Sequence, residues 1–118
     1  NEGVTLIWRL NYAWALGAVT PTIYWAPSDG TAGDVLWTLY WTALIATDQI
    51  DEAGTVINTT AASPAVAEQL TTSAVTAFTP GSAILKLHMQ RQAANALDTY
   101  NALDAYFLGL QLAYSVDQ

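Results

Sequence analysis

Hydrophobic and polar residues alternate with a period of two in three long segments of the chain, residues 4–14, 35–44 and 104–115. Alternation of this kind is typical of β-strands, since successive side chains of a strand point to opposite faces of a sheet. In the first segment the apolar face comprises Val4, Leu6, Trp8, Leu10, Tyr12 and Trp14. In residues 35–44 both faces are largely apolar, which predicts a central strand or a strand whose second face meets another subunit.

Shorter alternating segments predict four further strands, at residues 20–26, 55–59, 71–78 and 82–91. Turns rich in Gly, Pro and Asp separate them, at residues 27–30, at Gly33, at 51–54 and at 80–81. Ser63 followed by Pro64 is compatible with the start of a short helix at 63–68, and the polar residues of 92–103 favour a loop over a helix. The pattern therefore predicts one all-β domain over residues 1–118, a sandwich or barrel.

Composition narrows the classes of function. Charged residues make up 11% of the 118 residues, against about 25% in an average soluble domain. Hydrophobic residues make up 53%, and a chain with this much apolar and this little charged sequence is not intrinsically disordered. The cations are Arg9, Lys86 and Arg91, and the net charge is −7, so we expect no nucleic-acid partner and no anionic membrane surface. The charge-free run 10–28 is interrupted by Gly17 and Pro21, which argues against a membrane span.

Residues that carry catalytic or metal chemistry are scarce. The chain has no cysteine, and its one histidine, His88, alternates with Lys86 and Gln90 on the polar face of a predicted strand. The adjacent carboxylates Asp51 and Glu52 lie in a predicted turn, and the segment 29–34 lacks the ligand spacing of a calcium loop. We therefore expect no enzyme, no metal site and no cofactor.

The five tryptophans are the most unusual feature of the composition. Trp8 and Trp37 lie within apolar faces and are expected in the core. Trp14 and Trp25 lie near the ends of predicted strands, and Tyr40 lies on the second face of the two-sided strand. Exposed aromatic rings anchor protein interfaces or stack on sugars, so these three are candidate subunit contacts.

A set of short motifs resembles a known family. The motifs are Tyr24-Trp25, Gly33-Asp34-Val35-Leu36-Trp37, Asp48-Gln49-Ile50-Asp51, Asp98-Thr99, and the closing segment Asp104-Ala105-Tyr106-Phe107-Leu108-Gly109-Leu110-Gln111-Leu112-Ala113-Tyr114. Over residues 21–114 the chain resembles a small jelly-roll domain of tailed-bacteriophage virion proteins, found at tail-fibre tips and in proteins that decorate capsids or tails. The resemblance implies an antiparallel sandwich of the tumour-necrosis-factor type, a homotrimer and no catalytic residues.

This resemblance predicts a structural protein of the virion, which decorates the capsid or forms a fibre or tail appendage. Its outer loops would contact other virion proteins or the host, with Asp29, Asp34, Asp98 and Tyr100 as candidate contact residues. The alternative is a carbohydrate-binding module in which Trp14 or Trp25 stacks on a host-surface glycan. A full jelly roll has eight strands and seven are visible, so either an upstream strand is missing or a neighbouring subunit supplies it.

Overall fold

A computed structural model describes residues 3–11, 13–49, 54–100 and 103–116. Within these residues the chain forms seven β-strands and no helix. The strands are β1 Gly3–Arg9, β2 Thr20–Pro27, β3 Asp34–Leu44, β4 Thr55–Ala62, β5 Thr71–Ala74, β6 Ile84–Arg91 and β7 Ala105–Ala113. The all-β class predicted by the alternation is confirmed.

The strands form two antiparallel sheets, a four-stranded sheet in the order β1-β6-β3-β4 and a three-stranded sheet in the order β5-β2-β7. An eight-stranded jelly roll has one sheet in the strand order 2-7-4-5 and a second sheet in the order 1-8-3-6. The two sheets found here have this topology if β1 is counted as the second strand and β7 as the eighth. The position of the first strand, beside β7, holds no strand of the described chain.

The core lies between the two sheets, where apolar side chains from both inner faces meet. Trp37 of β3 contacts rings of the other sheet, with centroid distances of 6.1 Å to Trp25 and 6.0 Å to Phe107. Nearer the opposite end, Trp41 stacks on Phe78 at 4.4 Å. The Trp37 contacts join the two sheets, whereas Phe78 belongs to the segment after β5. Trp37, predicted in the core, is 3% exposed.

β3 is a central strand, between β6 and β4, which confirms one of the two explanations of its apolar second face. The loop at 92–100 supplies part of the cover on that face. The Gln92 backbone N–H donates to the Leu36 carbonyl, and the Leu36 N–H donates to the Asp98 carboxylate. Leu36 is 2% exposed as a result, so an apolar residue on the second face of this strand is buried by the chain's own loop.

Three predicted elements differ from the structure. The strand predicted at 71–78 ends at Ala74, and Phe78 beyond it forms an isolated bridge to Val19. The first strand ends at Arg9, because Asn11 begins a turn in which its side chain accepts the Ala13 N–H and its carbonyl accepts the Trp14 N–H. Tyr12, predicted on the apolar face of that strand, lies outside the described residues. Residues 63–68 form bends and turns in place of a short helix, because Ala65 and Glu68 have positive φ angles of 57° and 59°.

Candidate functional site

The outer face of the three-stranded sheet carries no charged side chain among the described residues, and we call it the uncharged face. It is built from alternate residues of the three strands. Residues that pair across neighbouring strands point to the same face of the sheet, and the pairing places these residues on one face. Its members are Thr20, Thr22, Tyr24, Thr72, Ala74, Tyr106, Leu108, Gly109, Gln111 and Ala113. A sheet face in contact with water usually carries charged residues, so this composition is unusual.

A β-bulge in β7 shapes the centre of the uncharged face. Tyr24 pairs with Gly109 and the next residue, Trp25, pairs with Phe107, so Leu108 is an extra residue in the strand. The bulge leaves Leu108 57% exposed, and Tyr106 beside it is 46% exposed. Two large side chains with apolar surface are therefore exposed on this face. On the same face, the Tyr24 hydroxyl donates to Gln111 Oε1 at 2.6 Å.

The outer face of the four-stranded sheet mixes polar side chains with the exposed Ile7, Val56 and Ile84, and it carries two of the three cations, Arg9 and Lys86. His88 lies in the middle of this face, where its Nδ1 is 2.7 Å from the Thr5 hydroxyl and its ring lies 5.8 Å from that of Tyr40. The Tyr40 hydroxyl accepts a hydrogen bond from Gln92 Nε2 at 3.5 Å. Tyr40, a predicted subunit contact, is therefore half-buried in a row of polar neighbours.

The structure brings together the four residues predicted as outer-loop contacts, because the loops after β2 and β6 meet at one end of the sandwich. The Tyr100 hydroxyl donates to the Asp29 carbonyl at 2.7 Å and accepts from the Asp29 N–H at 3.1 Å. The Asp34 carbonyl accepts from the N–H groups of Thr99 and Tyr100. Asp29 is exposed, whereas Tyr100 is 1% exposed and serves to join the loops.

Asp98 lies inside this junction and pairs with Arg91. The shortest distance is 2.7 Å, from Arg91 Nη2 to Asp98 Oδ1, and the two side chains are 13% and 1% exposed. Burial by itself would raise the pKa of Asp98, but hydrogen bonds from Arg91 and from the Leu36 N–H, with the charge of Arg91, outweigh it and lower the pKa. Asp98 is therefore a buried structural carboxylate and offers no oxygen to a partner.

Asp29 also has a lowered pKa, for a local reason. Its carboxylate accepts hydrogen bonds from the side chain and the backbone N–H of Thr31, which favour the charged form. The exposed carboxylate at the tip of this turn is therefore negatively charged at neutral pH.

Trp14 and Trp25 lie inside the molecule. Trp25 is 0% exposed, and its indole Nε1 donates to the Ser73 hydroxyl at 3.0 Å. Trp14 is 8% exposed, and its indole Nε1 donates to the Gly17 carbonyl at 3.3 Å. Position near a strand end does not expose Trp25, because Ser73 of β5 and Trp37 of the other sheet lie against its ring. Neither ring offers a partner subunit or a sugar an open face.

Within the ranges that the structure covers, no group of three or more His, Cys, Asp and Glu side chains lies close enough to hold a metal ion. No helix of these ranges is long and apolar enough to cross a membrane. Asp51 and Glu52, predicted as solvated turn residues, lie outside the described part of the chain.

Sequence reasoning missed the uncharged face. Its signal is present in the sequence, because the outward positions of β2, β5 and β7 contain only Thr, Tyr, Ala, Leu, Gly and Gln. The face becomes visible only when the pairing of these three strands is known, since they are far apart along the chain.

Comparison with family models, curated proteins and solved structures finds no match to this chain.

Proposed function

We propose that the chain is a structural subunit of a tailed-phage particle, a jelly roll that assembles as a homotrimer and decorates the capsid or forms part of a fibre or tail appendage. The phage context comes from the sequence motifs of residues 21–114. The observation that carries the assembly function is the uncharged face, with Tyr106 and Leu108 exposed at its centre.

The composition of this face suits contact between copies of the chain. The buried centres of protein interfaces are depleted of charged residues and enriched in aromatic ones, because a charge loses hydration when it is covered. Residues of the uncharged face can be covered without that loss. The other sheet presents Arg9 and Lys86 outward, so it suits the solvent-facing side of the assembly.

The end of the sandwich that holds Asp29 is proposed as the contact with other virion proteins. Its loops are fixed by the Tyr100 hydrogen bonds and by the Arg91–Asp98 ion pair, so little conformational entropy is lost when a partner binds. Asp29, Glu68 and Asp104 are exposed carboxylates of this end. Glycan binding through Trp14 or Trp25 is left out of the proposal, because both rings are buried.

Leu108→Lys tests the assembly function. A lysine at the centre of the uncharged face would place three charges together in a trimer, so we expect the variant to be monomeric at micromolar concentration. The measurement is light scattering coupled to size exclusion.

Ile7→Lys is the matched control. Ile7 is 57% exposed, as Leu108 is, but lies on the outer face of the four-stranded sheet, so this variant should keep the oligomeric state of the unmodified chain. A Leu108→Lys variant with the same mass in solution as the unmodified chain would contradict the proposal.

A further inference from the structure

An open-sided cavity of about 240 Å³ lies beside β1, between the two sheets, and we call it the β1 cavity. Its walls include Val4 of β1, Trp37 of β3, Met89 and Arg91 of β6, and Phe107 of β7. Four of these five side chains are apolar or aromatic. Walls of this composition, with a small number of polar groups among them, are typical of sites that bind small molecules.

The cavity is open because β1 is less well covered than its neighbour β6. Val4 pairs with Met89 and points inward with it, yet Val4 is 42% exposed and Met89 is 3% exposed. In another row of the same pair of strands, Trp8 is half-buried whereas its partner Leu85 is buried. Trp8, predicted in the core, is therefore only partly covered, and Val4 lies at the mouth of the cavity.

The indole of Trp37 has an unused hydrogen-bond donor. Trp37 is 3% exposed, and in the part of the chain that the structure describes no acceptor lies within hydrogen-bond distance of its Nε1. The buried indoles of Trp14 and Trp25 differ in this respect, since they donate to the Gly17 carbonyl and the Ser73 hydroxyl. A buried N–H without an acceptor costs free energy, so a ligand that brings an oxygen to Trp37 removes that cost.

Arg91 adds no unbalanced charge to the cavity. Its Nε and Nη2 donate to the two carboxylate oxygens of Asp98, and its Nη1 donates to the Leu103 carbonyl. The other described residues that line the cavity are uncharged. An anionic ligand would lose its hydration here without gaining a free cation, so the walls favour a neutral molecule.

The volume of the cavity limits the size of that molecule. A cavity of about 150 Å³ holds benzene, whereas pockets for drug-sized ligands begin at about 300 Å³. The β1 cavity, at about 240 Å³, lies between these values and fits one ring with a short substituent. We propose that the β1 cavity binds a neutral, single-ring molecule whose carbonyl or hydroxyl oxygen accepts a hydrogen bond from Trp37 Nε1.

Acetophenone and α-methylstyrene are a matched pair of probes for this site. They have nearly the same shape, and a methylene group in α-methylstyrene replaces the ketone oxygen of acetophenone. Each is titrated into the ¹⁵N-labelled chain and followed by NMR. Acetophenone should shift the Trp37 indole N–H signal and should bind about tenfold more tightly than α-methylstyrene, which has no acceptor. The indole signal of Trp14, which donates to the Gly17 carbonyl, should not move.

Three variants make the result specific. Trp37→Phe keeps an aromatic wall and removes the donor, so the backbone amides around the cavity should report equal affinities for the two probes. Val4→Phe narrows the mouth and should weaken acetophenone binding by about tenfold or more. Ile7→Phe is its control, because Ile7 is exposed on the outer face of the same strand, and this variant should bind as the unmodified chain does.

The proposal is overturned if acetophenone leaves the Trp37 indole signal in place, or if the two probes bind the unmodified chain with equal affinity. A preference for acetophenone that persists in Trp37→Phe would also overturn it, as would an equal effect of Val4→Phe and Ile7→Phe. The proposal does not rest on the proposed function, because Phe107 lines the cavity whereas Tyr106 points outward on the uncharged face.

Discussion

Asp98 and Arg91 join the loop at 92–100 to the edge of the core. The carboxylate accepts hydrogen bonds from Arg91 Nε and Nη2 and from the Leu36 N–H, and Arg91 Nη1 also donates to the Leu103 carbonyl. All of these groups are buried or half-buried, so each depends on the others for its hydrogen bonds. The pair therefore holds the loop in one position more than it adds net stability.

Asp98→Ala should destabilise the fold by about 3–5 kcal/mol, because it leaves the Arg91 charge and the Leu36 N–H without an acceptor. The measurement is the free energy of unfolding in urea at neutral pH. Asp104→Ala is the control, since Asp104 is exposed, and it should change the free energy by less than about 0.5 kcal/mol. A loss for Asp98→Ala no larger than that of the control would contradict the role of the pair.

The Asp98 carboxyl also makes stability depend on pH. Its pKa in the folded chain is lowered from 3.8, so the unfolded chain binds a proton more readily than the folded chain does. The contribution of the ion pair is complete above the unfolded value and is lost as the pH falls through the folded value. Stability from this group therefore decreases on acidification.

We expect the difference in unfolding free energy between the unmodified chain and Asp98→Asn to shrink as the pH falls from about 7 to about 3. Urea unfolding at several pH values measures it, with Asp104→Asn as the exposed control. A difference that stays constant or grows as the pH falls would show that the charge of Asp98 is not what stabilises the junction.

At the scale of elements, the contact between two loops depends on a glycine. Gly33 precedes β3 with a φ angle of 154°, and its carbonyl accepts the Ser63 N–H. A Cβ at this position would lie 2.9 Å from the Thr99 carbonyl oxygen and 3.1 Å from Tyr100 Cα. Both contacts are with backbone atoms, which cannot move away as a flexible side chain can.

Gly33→Ala should therefore destabilise the fold by about 1–3 kcal/mol, through an unfavourable φ angle and separation of the two loops. Thermal unfolding measures the effect. Gly81→Ala is the control, because a Cβ at Gly81 meets nothing within 4 Å, and this variant should be neutral or stabilised by up to about 1 kcal/mol. Equal melting temperatures for the two variants would contradict the close approach of the loops.

Most of the strands could be predicted from the sequence because they alternate between an apolar and a polar face. Residues 82–91 illustrate this, since the inward Leu85, Leu87 and Met89 are buried and the outward Lys86, His88 and Gln90 are half-buried. Alternation does not show where a strand ends, however. The apolar pattern of 4–14 continues through the turn at Asn11, because Leu10 and Trp14 are buried by other segments.

The candidate surfaces were harder to predict, since they depend on which strands pair. The interface assignment of Trp25 assumed that a strand end is open, whereas β5 places Ser73 against its indole. Asp98 and Tyr100 were expected to face outward with their loop, yet they are buried because Arg91 and Asp29 lie across from them. These contacts join distant parts of the chain, and local sequence patterns do not specify them.

The whole molecule is a flat slab with extents of 44 × 31 × 18 Å. Its radius of gyration is 15.2 Å, whereas a compact domain of this length has about 13.5 Å. A flat sandwich exposes more of its sheet faces than a rounder domain does. The low charge of the chain and the uncharged face of β2, β5 and β7 are then consistent with a subunit that is covered by its own copies.

Sedimentation equilibrium of the unmodified chain at micromolar concentration tests the proposed trimer, because it measures the mass of the assembly without a label or a variant. Three chains of 12.7 kDa give a mass of about 38 kDa, and we expect a species of this mass. A single species of 12.7 kDa at every concentration would contradict it.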